Sequence, residues 1–167
     1  MIKTVAKIGF AFFFIIIFGL AGCSSNKNDL PEKLGDLSLF KVIQGNEAVN
    51  VVNKMHGKSL GAIEYLIGYY GNDDSKNILY VSVFENAKTA KVDLMNMAMK
   101  MARGTSVFAP LTFEEMGEKV SFRTEGMGLV HYFYRVDNIL LWWQVETNKA
   151  ESTYDELLKF DFAPLKE

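Results

Sequence analysis

The chain has 167 residues, 49% of them hydrophobic and 23% charged, with 13 phenylalanines, seven tyrosines and a single cysteine. A formal net charge of −2 offers no basic surface for a phosphate backbone, so nucleic acid is not expected as a partner. One cysteine excludes a disulfide framework, and the residues beyond the N-terminal apolar run suffice for one domain with a substantial core.

In chain order, Lys3 and Lys7 precede residues 8–18 (IGFAFFFIIIF), an unbroken apolar stretch too short to span a bilayer comfortably. It ends in Leu20-Ala21-Gly22-Cys23. This segment resembles the signal peptide and lipobox of bacterial lipoproteins. The resemblance implies that residues 1–22 are removed, that the Cys23 thiol carries diacylglycerol, and that the new amino group is usually acylated. Two or three acyl chains give stable attachment where one is marginal. The protein is then expected on the cell membrane, lipid-anchored and extracytoplasmic. Ser24 after the cysteine points to the periplasmic side of the outer membrane if the cell is Gram-negative. Residues 23–35, polar and containing Pro31, read as the lipidated tether, and residues 36–167 as a single domain. The only thiol is used by the lipid, and without Lys3 and Lys7 sixteen basic residues face twenty acidic ones.

Within the domain, residues 46–56 place Ala48, Val49, Val52 and Met55 on one helical face, with Gly57 in the usual position after a helix. Residues 63–70 and 77–84, rich in aromatic and β-branched side chains, read as strands joined by the loop at 71–75. Asn86 caps a helix predicted over 87–103 and closed by Gly104. Residues 105–118 read as a loop, with Pro110 and Gly117 as breakers. Residues 119–124 alternate as a strand, 125–128 turn the chain, and two further strands at 129–136 and 139–146 meet at a two-residue turn, Asp137-Asn138. Asn148 is the predicted cap of a last helix that buries Ala150, Tyr154, Leu157 and Leu158. A hairpin followed by a helix occurs twice, and Asn77-Ile78-Leu79 is echoed at Asn138-Ile139-Leu140, although the identities are few. The order α-β-β-α-β-β-β-α predicts an α+β fold: an antiparallel sheet of about five strands, helices packed on one face, a ferredoxin-like sandwich.

The last hairpin carries the densest chemistry. Its turn puts Tyr132, Tyr134 and Trp143 on one side, expected under the helices. His131, Phe133, Arg135, Trp142 and Gln144 fall on the other, expected towards solvent as a candidate contact surface for a second copy or an envelope partner. His131 is the best single candidate for chemistry, with Gln144, Arg135, Glu146 and Glu125 nearby and Arg135 expected to lower its pKa. No metal-ligand spacing accompanies it, since His56 is distant in sequence and explained as a cation near a helix C-terminus. Met95, Met97, Met99 and Met101 are soft ligands for Cu(I), but only the pairs Met95/Met99 and Met97/Met101 share a helical face, and methionine is a common core filler. Glycine-rich phosphate loops, a nucleophile elbow, HExxH and cysteine pairs are missing. The expected function is a non-enzymatic binding or scaffolding module of the cell envelope, with no cofactor beyond the lipid on Cys23. The alternative is a periplasmic small-ligand or metal (haem or copper) carrier, and a hydrolase using His131 is the third.

Overall fold

The computed structural model describes residues 30–57, 60–116 and 119–166; the expected signal peptide, residues 1–22, and Cys23 lie outside the described residues. The strands are β1 (Lys33–Leu34), β2 (Leu37–Gln44), β3 (Glu64–Tyr70), β4 (Asn77–Val83), β5 (Thr112–Met116), β6 (Lys119–Gly126), β7 (Leu129–Val136) and β8 (Ile139–Glu146). They form one eight-stranded antiparallel sheet in the order β1-β2-β3-β4-β8-β7-β6-β5, two meanders that meet where β4 pairs with β8. Three helices pack on it: α1 (Gly45–His56), α2 (Ala87–Met101) and α3 (Ala150–Lys159).

This corrects the expected five-stranded, ferredoxin-like sandwich on two counts. First, β1, β2 and β5 add to the sheet. The ladder of β2 shifts register between Leu39 and Lys41, so Leu37 and Leu39 fall on one face and Ile43 on the other. No single period-2 pattern fits such a strand. In β5 the adjacent Glu114 and Glu115 hide the alternation of an edge strand inside what reads as a loop. Second, the helices occupy both faces. Helix α3 joins Leu30, Leu34, Leu37 and the inner residues of β3, β4, β7 and β8 in one core. Helices α1 and α2 build two clusters on the opposite face, one around Ala48, Val52 and Ile67, the other around Leu94, Ala98 and Phe133.

Most predicted ends follow local chemistry. The Asn86 side chain accepts from Thr89 N at 3.0 Å, and Gly57 closes α1 at φ 65°. Met127 and Gly128 turn at φ 54° and 77°, and Asp137 at φ 56° opens the β7–β8 turn. The last helix starts later than expected: a 3₁₀ turn, Thr147–Lys149, precedes it, so Asn148 is not its cap. The two hairpin–helix units are not copies, because α2 and α3 cover opposite faces and Ile78 and Ile139 belong to different cores. The expected tether also shortens: Leu30, Pro31 and Leu34 are buried, and Tyr70 donates to the Pro31 carbonyl at 2.9 Å.

The α3 core holds its polar atoms in pairs. Trp143, fully buried, donates through its indole N–H to Thr153 Oγ1 at 3.0 Å, and the Thr153 hydroxyl donates in turn to the Lys149 carbonyl at 2.7 Å. Tyr70 meets the Trp143 ring edge-on at 5.4 Å, and Tyr132 stacks on Tyr154 at 4.0 Å. Replacing Thr153→Val keeps the shape and strands the indole N–H in a dry core, which costs about 1–3 kcal/mol. Urea denaturation should show that loss, with Thr153→Ser retaining most of the stability; equal midpoints for the valine variant and wild type would discount the bond.

Candidate functional site

On the face of α1 and α2 the sheet pairs Ser82 with Leu140 and Tyr80 with Trp142 across β4 and β8, and Gln144 with His131 across β8 and β7. The α1 and α2 helices stand apart over these rows and leave a cavity of about 640 Å³ between them. Val52, Met55 and His56 form its α1 wall, and Asp93, Asn96, Met97, Lys100 and Met101 its α2 wall. The floor is apolar around Phe84 and Leu140, while His56, Asn96 and Lys100 are exposed at the rim. This size and lining are those of small-molecule sites, which combine apolar walls with a few polar groups.

Phe108 closes one end of the cavity, because residues 105–109 lie against β6. Phe108 bridges to Gly126, and Ala109 N donates to the Glu125 carbonyl at 2.8 Å. Gly126 permits this approach: a Cβ there would stand 2.4 Å from the Phe108 ring and 2.5 Å from the Val107 carbonyl. Thr105 Oγ1 accepts from the Val107 and Phe108 amides and stiffens the arm.

The five residues expected as an exposed contact surface are brought together but not exposed. Helix α2 covers Phe133, and Phe108 and Trp142 pack against His131, so that neither Phe133 nor His131 has accessible surface; Trp142, Arg135 and Gln144 are half-buried, and Trp142 and Gln144 line the cavity. A solvent-facing patch was expected because a single helical layer leaves the far face bare, and the second layer removes that premise. Phe122, Phe133 and Trp142 stack across three strands, at 5.2 Å and 21°, then 5.0 Å and 8°.

His131 is held by both ring nitrogens. The Trp142 indole donates to Nδ1 at 3.1 Å, so Nε2 carries the proton and donates to the Gly126 carbonyl at 3.2 Å. Phe108 packs edge-on against the imidazole at 5.1 Å. Burial holds its pKa below the ordinary histidine value, partly offset by the Gly126 carbonyl. Arg135, expected to cause that depression, instead turns away and donates to the Asp137 carbonyl. The carboxylates expected beside His131 are engaged elsewhere: Glu125 pairs with Arg123 at 2.6 Å, and Glu146 accepts from Asn77 at 3.4 Å. Gln144 donates to the Lys76 carbonyl at 3.0 Å. With both nitrogens occupied, His131 has no lone pair for a metal or a substrate proton in this geometry.

The methionines separate as helical geometry requires. Met97 and Met101 line the cavity, while Met95 and Met99 lie exposed on α2. No cluster of three His, Cys, Asp or Glu side chains suited to a metal ion occurs among the described residues. Sequence reasoning missed that His56 and His131 border one cavity. Only the sheet topology carries that information, since α1 and β7 are far apart in the chain and neither has a local motif. Tyr80 and Ser82 were also missed; burial pushes the Tyr80 phenol up to about 12.

A neutral, buried His131 makes stability depend on pH. The unfolded imidazole takes a proton near pH 6.5 and the folded one only at lower pH, so the contribution is complete above about 6.5 and is lost as pH falls below it. Unfolding free energies from urea denaturation should therefore drop between pH 7 and pH 5, by up to about 1.4 kcal/mol per pH unit, and His131→Gln should flatten that slope. An unchanged slope in the variant would place the titrating group elsewhere. Comparison of the chain with protein-family models, with curated proteins and with solved structures finds no match.

Proposed function

We propose that the protein is a lipid-anchored, extracytoplasmic binding protein that holds a small, largely apolar molecule in the cavity between α1 and α2. The observation that carries the binding half is the cavity itself: about 640 Å³, a buried apolar floor, and a rim bearing His56, Asn96 and Lys100. The anchoring half rests on the lipobox-like Leu20-Ala21-Gly22-Cys23. Together they describe a non-enzymatic module that keeps or presents a poorly soluble ligand next to a membrane.

A second reading, a contact with another copy or an envelope protein, draws on a different surface from the one expected. Phe113 on the edge strand β5 and Met99 on α2 are each 65% exposed and flank a shallow depression with Leu111 and Phe122. Contiguous exposed apolar side chains of this kind are common at protein contacts.

Two measurements test the main reading. Saturable binding of 1-anilinonaphthalene-8-sulfonate to the wild type should weaken at least tenfold in Met97→Trp, whose larger side chain fills the cavity wall. Equal affinity in a folded variant would remove the cavity as the site. Mass spectrometry of protein from its native membrane should show a chain beginning at Cys23 with diacylglycerol attached, and Cys23→Ser should abolish that modification. An unmodified Cys23 in the wild type would refute the anchor.

A further inference from the structure

We infer that the cavity takes a planar aromatic molecule bearing a hydrogen-bonding substituent, with its ring laid on Trp142 as the next member of the Phe122–Phe133–Trp142 stack. The inference rests on the cavity being a ligand site and adds the class of ligand. Three observations carry it. The stack is regular across β6, β7 and β8, and it stops at β8 although the sheet continues. Trp142 has Phe133 against one face and borders the cavity, and its indole N–H is fixed on His131, so the ring plane is held before any ligand arrives. On the next strand, Tyr80 lies opposite Trp142 in the ladder without closing a ring contact on it, so the stack is interrupted at the cavity.

The polar groups at that gap suit a substituent on a ring. Ser82 is about nine-tenths buried and lines the cavity, and neither its hydroxyl nor that of Tyr80 has a hydrogen-bond partner among the described residues. Each hydroxyl both donates and accepts, so a phenol, a ring carbonyl or a ring nitrogen satisfies them equally. Asp93 and Lys100, of opposite sign, stand seven residues apart on the α2 wall, roughly 10 Å along the helix. They favour neither a net cation nor a net anion. An alkyl chain fills the apolar floor but uses neither the Trp142 face nor the two hydroxyls.

The test uses purified full-length protein with 1-naphthol and 1-decanol as probes. Trp142 fluorescence should be quenched saturably by 1-naphthol, and the naphthol ring protons should move upfield in NMR spectra of the unmodified protein. 1-Naphthol should bind Trp142→Leu at least tenfold more weakly and Trp142→Phe nearly as well as wild type, and it should lose several-fold with Ser82→Ala. 1-Decanol should bind wild type and Trp142→Leu alike. If 1-decanol binds as tightly as 1-naphthol, or if 1-naphthol binds without an upfield shift, the cavity is a ligand site of a different class and this inference falls alone. If neither probe binds saturably, the cavity reading falls and takes the inference with it. The upfield shift is read on the unmodified protein, so the outcome stands even if a Trp142 variant fails to fold.

Discussion

Covering the sheet on both faces is the constraint from which the rest of this structure follows. Where β4 meets β8, side chains alternate between the α3 core and the α1/α2 face, the first set buried and the second buried or half-buried around the cavity. Trp142 and Trp143 are neighbours in the chain yet belong to different cores, one bonded to His131 and the other to Thr153. A strand in this position needs bulk on both sides. That requirement explains why ILLWWQV carries apolar side chains at nearly every position, where a half-exposed antiparallel strand would alternate.

The two covers differ in kind. On the α3 side, aromatic rings, buried hydroxyls and the N-terminal residues Leu30 and Leu34 pack into one buried core. On the other side α1 packs mainly over β2 and β3, and α2 over β7 and β8, so the strip above β4 stays open. The cavity is thus a product of helix spacing on a sheet too wide for two helices to roof. It lies at the centre of the sheet, where β4 and β8 set Tyr80 opposite Trp142 and Ser82 opposite Leu140.

Much of the local structure was legible in the residues. The β7–β8 register followed from a two-residue turn, and it assigned Tyr132, Tyr134 and Trp143 to one face and His131, Phe133 and Trp142 to the other, as observed. Helix starts and stops at Asn86 and Gly57 were equally plain, because caps depend on adjacent atoms. What pattern could not supply was the second layer. A single helical layer leaves the far face of the last hairpin towards solvent, whereas the continuous apolar run of β8 fits a strand covered on both sides. The bulge in β2 and the paired glutamates of β5 broke the period that identifies strands, and the strand count fell short accordingly. The cavity depends on the distance between two helices far apart in sequence, so no local motif announces it.

The bond between Trp142 and His131 ties an indole to the protonation of an imidazole. An indole N–H can donate to Nδ1 only while that nitrogen keeps its lone pair; protonation sets two hydrogens facing each other. Trp143, the next residue but facing the opposite core, donates instead to the Thr153 hydroxyl. The Trp142 indole is thus tied to the charge of His131 and the Trp143 indole to a hydroxyl that keeps its proton, so two neighbouring side chains answer differently to acid.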